Sequence, residues 1–217
     1  ASRTGFGEAV RRVLELRDRG EAFTCVMGAL ADLIDAERGS AEAVEAALGA
    51  TLQSLVVPTS GHLPGSAELD LLEGRVSFLP VCAVGDCDGF TLERDPLDAL
   101  VASGRVRSLR PLVRLRADAL DHLGETGQRL LDRLLGRTFL VESMDAAVML
   151  STGVLGRGAR FVTRDGAVLE PDGRVIAGPA SDETGGVGVL QRRAELDDLT
   201  SKLASVDASL GRVRVEL

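Results

Sequence analysis

Cys82, Asp86, Cys87 and Asp88 lie within seven residues of one another, and thiols beside carboxylates are materials for a metal site or a nucleophilic centre. The spacing argues against both. A zinc site pairs closely spaced ligands with a second pair, and no second pair follows Cys87. Small thiols packed beside an acidic turn are the better reading. His62 and His122 sit in loop-like or helix-end surroundings with no partnered nucleophile, which suits solvation or capping better than general-base work. Gly153-x-x-Gly156-x-Gly158 is glycine-rich, but it lies between an expected helix and an expected strand, the reverse of a dinucleotide fingerprint. A phosphate loop of the G-x-x-x-x-G-K-[ST] kind is absent. No enzymatic activity, metal or other cofactor is therefore expected of this chain. The competing enzyme reading rests on the Cys82–Asp88 loop alone, and stoichiometric metal in the purified protein would support it.

Arg105, Arg107, Arg110, Arg114 and Arg116 are the one basic concentration. Alternation along a strand puts Arg105 with Arg107, and Arg114 with Arg116, on shared faces that could hold phosphates at low salt. Against that stand a net charge of −8 and the absence of Trp and Tyr for base stacking. A solvated face balanced by carboxylates is the preferred reading, and a weak DNA contact the alternative.

The 217 residues are 45% hydrophobic and 27% charged, enough for one or two globular domains with a real core. Aromatics make up 3%, so Leu, Val and Ala must fill that core. Three cysteines at irregular spacing, with no leader upstream, point to a reduced, cytoplasmic protein. No apolar run has the length of a membrane span. The chain begins without Met and ends inside a heptad pattern, so it is expected to be a piece of a longer one.

Helices are expected over 7–18, from Leu30 to about Arg38, from a Ser40 cap to Leu48 with Glu42 and Glu45 in the first turns, over 67–72, over 96–102, over 126–135 and over 144–150, the last capped by Ser143. Strands are expected over 52–57 (stopped by Pro58), 76–81, within 106–115, and over 138–141. The segments 58–66 and 82–95 are assigned as loops. Two junctions align, Leu48-Gly49-Ala50-Thr51 with Leu135-Gly136-Arg137-Thr138, and suggest two similar lobes.

The stretch 156–179 organises the rest. Strands over 159–163, 167–170 and 174–177 alternate with turns at Arg164-Asp165-Gly166 and Pro171-Asp172-Gly173, where glycine supplies a positive φ. A flexible joint over 181–188 follows. Then Leu196, Leu199, Leu203, Val206, Leu210, Val213 and Leu217 fall at alternating intervals of three and four, the seam of a coiled coil.

Taken in order, four pieces resemble the hinge domain of structural maintenance of chromosomes (SMC) proteins of bacteria: 41–57 (AEAVEAALGATLQSLVV), 74–80 (GRVSFLP), 135–147 and 159–170 (ARFVTRDGAVLE). The resemblance spans roughly residues 5–195. It implies an α/β (α+β) fold of two similar lobes, about 5–115 and 116–180, in a hinge of 1–190, with a coiled-coil arm starting at 191. It further implies a two-fold homodimer serving chromosome condensation and segregation, with ATPase heads outside this chain and a nucleoid location. By motif match, Gly156, Gly158, Arg160, Phe161, Thr163, Asp165, Gly166, Gly173 and Gly178 are its interface candidates. The arm's partner helix would likewise lie outside the chain, leaving the seam exposed or borrowed.

Overall fold

The computed structural model describes residues 6–82, 101, 106–153, 156, 158–178 and 188–215, the last nine as backbone only. Apart from Val101, which is helical, the helix 96–102 lies outside the described residues, as do the loop 82–95 beyond Cys82 and most of the joint 181–188.

The first half opens with helix α1 (Glu8–Asp18), which buries Val10, Val13, Leu14 and Leu16. Strand β1 (Gly28–Ala29), one helical turn α2 (Leu30–Leu33) and strand β2 (Ile34–Ala36) follow. Helix α3 (Ala41–Leu48) and a 3₁₀ stretch lead into β3 (Leu55–Thr59), which runs parallel to β4 (Phe78–Cys82) after a connection carrying the turn α4 (Ser66–Leu69). The sheet order is β1-β3-β4, with β1 antiparallel to β3.

The second half repeats this plan. Strand β5 (Arg107–Ser108) is followed by β6 (Val113–Leu115), a long helix α5 (Ala117–Leu135) and β7 (Thr138–Val141). Helix α6 (Met144–Thr152) then crosses to β8 (Arg160–Thr163), parallel to β7, and β9 (Val168–Leu169) and β10 (Val175–Ile176) complete the order β10-β9-β8-β7-β5. In both sheets the first strand in chain order is a two-residue antiparallel neighbour of the second, and the second pairs in parallel with the third. The halves meet where the matching strands β2 and β6 pair antiparallel, Ile34 opposite Leu115, Asp35 opposite Arg114 and Ala36 opposite Val113.

The repeat is real, but its register differs from the one aligned in sequence. Gly49 ends α3 at φ 48°, ψ −129°. Gly124 breaks α5 at φ 49°, ψ −132°. Each follows the first helical segment after a ribbon strand, and each needs a conformation that a Cβ disfavours. Gly136, the residue aligned with Gly49, is ordinary right-handed helix at φ −58°. The helix expected over 126–135 is thus the second part of a kinked helix beginning at Ala117.

Other expectations shift for local reasons. The helix from Leu30 stops at Leu33, because Ile34–Ala36 is claimed by β6. Ser40 precedes α3 without a side-chain capping bond, whereas Ser143 does accept from the Ala146 N–H. The two prolines do not stop their strands. Pro58 lies beyond the reach of β1, and Pro80 is on β4 at the end of the sheet order, so neither removes a ladder donor.

Packing follows the alternation of the strands. Leu140, Val162 and Val168 face the main core, while Phe139, Val141, Phe161 and Leu169 face a smaller one with Ala147 of α6. The few aromatics sit at strategic points: Phe139 and Phe161 meet at 6.2 Å, and Phe23 stacks on Phe78 at 6.1 Å. Phe23 holds φ 56°, unusual for a bulky residue, with its N–H donating to Glu68 Oε1 at 2.6 Å.

The chain ends in helix α7 (Val189–Val215), and Leu196, Leu199, Leu203 and Val206 are 55–64% exposed on it. A helix stands where the heptads predict one, with this part of its seam open. The side chains of Leu210, Val213 and Leu217 lie outside the described residues.

Candidate functional site

The hairpin candidates separate by burial. Phe161 and Thr163 are buried in the second sheet, and the Thr163 hydroxyl exchanges hydrogen bonds with the Ala167 backbone inside the β8–β9 turn. Asp165 is exposed at the tip. Gly166 (φ 79°) lies against α3, where an added Cβ would stand 3.7 Å from that of Ala46. Arg160 bridges the halves: Nε donates to Glu170 at 2.9 Å and Nη1 to the Ala47 carbonyl at 3.0 Å. Gly156 packs so closely that a Cβ would meet the Leu150 carbonyl oxygen at 2.0 Å.

Three glycines behave differently. Gly158, Gly173 and Gly178 have φ of 71°, 88° and 118°, are exposed, and have no atom within 4 Å of where a Cβ would point. Between the last two lies β10, whose Val175 and Ile176 are more than half exposed and which ends its sheet. An apolar two-residue edge strand between open glycine turns presents unpaired backbone groups with nothing bulky in front of them. The turn is held by Asp172, which accepts from the Arg174 N–H and guanidinium and whose carboxyl is thereby kept below the usual range.

The arginine concentration is largely spoken for. Arg107 pairs with Glu37 at 3.0 Å. Arg110 binds Asp132, the Gln128 side chain and the Val113 carbonyl, tying the segment before β6 to α5. Arg116 lies 3.4 Å from Asp118 and 3.8 Å from Asp35, and Arg114 faces Asp35 across the ribbon. Arg105 lies outside the described residues. Carboxylates thus pair with three of the five cations that were candidates for phosphate, Arg107, Arg110 and Arg116.

Of the thiol loop, Cys82 is half-buried on β4, while Asp86, Cys87 and Asp88 lie outside the described residues; Cys25 is exposed. Among the described residues no three His, Cys, Asp or Glu side chains gather as metal ligands. The His62 ring shares a hydrogen bond with the Thr59 hydroxyl at 2.8 Å, and His122 is exposed on α5. No helix among the described residues is long and apolar enough to cross a membrane.

One residue that the sequence marked only as an acid in the first turns of α3 has a larger part. Glu45 is buried, and its carboxylate accepts from the N–H groups of Gly188, Leu190 and Gln191 at 2.6, 2.6 and 3.0 Å. These are the otherwise unpartnered donors at the start of α7, so the buried charge is offset by hydrogen bonds and by the positive end of the helix dipole. Arg193 adds a bond to the Ala31 carbonyl at 2.7 Å and one to Asp32 at 3.2 Å, and Arg38 pairs with Asp198 further along. The root of α7 is therefore fastened to the first half of the molecule.

The family described as SMC proteins Flexible Hinge Domain matches residues 23–151. Two curated proteins named chromosome partition protein Smc are similar over most of the chain: that of Myxococcus xanthus is 31% identical over 94% of it, and that of Bacillus subtilis 27% over 99%. The chain spans about a sixth of their length, 16% and 17%. Among solved structures, an asymmetric dimer of the Geobacillus stearothermophilus SMC hinge domain superposes with a TM-score of 0.72 at 26% identity, over 96% of this chain and 78% of that one. A Pyrococcus furiosus Smc hinge domain with an extended coiled coil shares the fold at TM-score 0.54 and 21% identity, over 96% of this chain and 73% of that one.

Proposed function

Because the chain belongs to the SMC flexible hinge family, we propose that it is the dimerisation module of a bacterial chromosome partition protein, two copies joining about a two-fold axis. The observation that carries this reading is the likeness to a hinge domain solved as a dimer. The exposed edge β10 between Gly173 and Gly178 supplies a surface suited to it, and Gly158 is likewise open. In this reading Phe161, Thr163, Gly156, Gly166, Arg160 and Asp165 shape the hairpin from behind, and backbone groups of the glycine turns make the contact. The hinge body covers residues 1–190, and α7 begins an arm whose partner helix and ATPase heads belong to the longer protein, in the cytoplasm at the nucleoid. The module itself binds; it does not catalyse.

Light scattering after size exclusion, from micromolar to nanomolar protein, tests this. Wild type should run near twice 22.8 kDa. Val175→Asp with Ile176→Asp should run as a folded monomer, and these positions avoid the backbone strain of replacing a positive-φ glycine. A wild-type monomer would overturn the reading. A DNA contact through Arg105 to Arg116 would require those ion pairs to open, and salt-dependent DNA binding lost in Arg110→Glu would be its sign.

A further inference from the structure

Helix α3 is eight residues long and touches two things that the chain places far apart. On one side Glu45 holds the first turn of α7 through the Gly188, Leu190 and Gln191 amides. On the other, the Ala47 carbonyl accepts from Arg160 of β8, and Ala46 and Glu42 border Gly166 in the β8–β9 turn. Between these contacts α3 offers little give. Ala41, Ala43, Val44, Ala47 and Leu48 are buried, and small side chains in a close-packed core transmit displacement because they have few rotamers to absorb it.

We propose that α3 couples the direction of α7 to the β8–β9 hairpin, with Glu45 as its grip on the arm and the Ala47–Arg160 bond as its grip on the hairpin. A tilt of α7 displaces Glu45 and hence α3, and the hairpin follows. By linkage the reverse holds: whatever fixes the hairpin stabilises one direction of α7. The consequence for a partner copy rests on the dimer reading above. The coupling itself does not, because both contacts lie within one chain.

Amide hydrogen exchange on the whole chain tests it, with Glu45→Gln, Arg160→Gln and Arg193→Gln compared with wild type. Glu45→Gln should speed exchange at Gly188–Gln191 and also at Thr163, Gly166 and Ala167, by about fivefold or more at each end. Arg160→Gln should produce the same pair of changes. Arg193→Gln releases α7 from Ala31 and Asp32 without touching α3, so it should loosen the root of α7 and leave the hairpin protected. An unchanged hairpin in Glu45→Gln, or equal loosening of the hairpin in Arg193→Gln, would overturn the proposal. If Glu45→Gln does not fold, Arg160→Gln read at Gly188–Gln191 decides alone. Light scattering on the same samples reports separately on dimerisation, so a monomeric wild type with coupled exchange would sink the dimer reading and keep this one.

Discussion

Asp35 and Arg114 stand opposite each other at the midpoint of the ribbon that joins the two halves, equivalent positions of a repeated plan carrying opposite charge. Asp35 Oδ1 is shielded from solvent without a hydrogen-bond partner and has the Arg116 guanidinium 3.8 Å away, so it depends on the positive charge around it. Arg114→Glu sets two carboxylates across the ribbon and should cost about 1 kcal/mol, seen as a lower urea midpoint at unchanged slope. Arg114→Gln should cost less.

The paired glycines predict a contrast independent of space. An added Cβ at Gly49 or Gly124 meets no atom within 4 Å, yet both hold a positive φ. Ala at either should cost about 1–2 kcal/mol through backbone strain. Gly39 is equally open and lacks the positive φ, so Gly39→Ala should be neutral or stabilising by up to about 1 kcal/mol. Thermal or urea unfolding of the three variants checks this.

Helix α7 should divide sharply along its length. Leu190 is 1% exposed and Leu199 61%. Leu190→Ala should cost about 2–4 kcal/mol. Leu199→Ala should stay within about 0.5 kcal/mol in the isolated chain. Under the proposed reading of α7 as the start of a coiled-coil arm, supplying a partner helix in trans should make Leu199 matter, an effect that urea unfolding would register.

Acid should act on the outer part of the same helix. Asp198 is held below its ordinary pKa by a hydrogen bond from Lys202, with the charge of Arg38 adding to it. A carboxyl depressed in the folded state contributes stability above its unfolded pKa and loses it as pH falls through the folded value. A carboxyl-detected NMR titration should find Asp198 below 3.8 and rising towards it in Lys202→Met.

Much of this fold is written locally. Thr138–Val141 is a run of β-formers bounded by turn signals, Ser143 is a cap at the right distance from its amide, and Asp165-Gly166 dictates a tight turn. What escaped was decided at a distance. Ile34 continues the helical spacing of Leu30 and Leu33, and only Val113–Leu115 makes it a strand. Gly124 looks like a boundary, although α5 runs on both sides of it. Glu45 looked like a helix-start acid because the amides it serves lie 143 to 146 residues later. Of the interface candidates, the sequence marked the glycine turns but could not separate exposed Gly158, Gly173 and Gly178 from Gly156 and Phe161, which are packed inside.

The fastening of α7 by Glu45 has a geometric consequence. A helix of 27 residues is about 40 Å long. A rotation of about 10° at its root therefore carries the far end roughly 7 Å, more than a full turn of helix. The three amide bonds thus sit at the fulcrum of a lever, where sub-ångström changes at a buried carboxylate become displacements as large as a side chain at the tip.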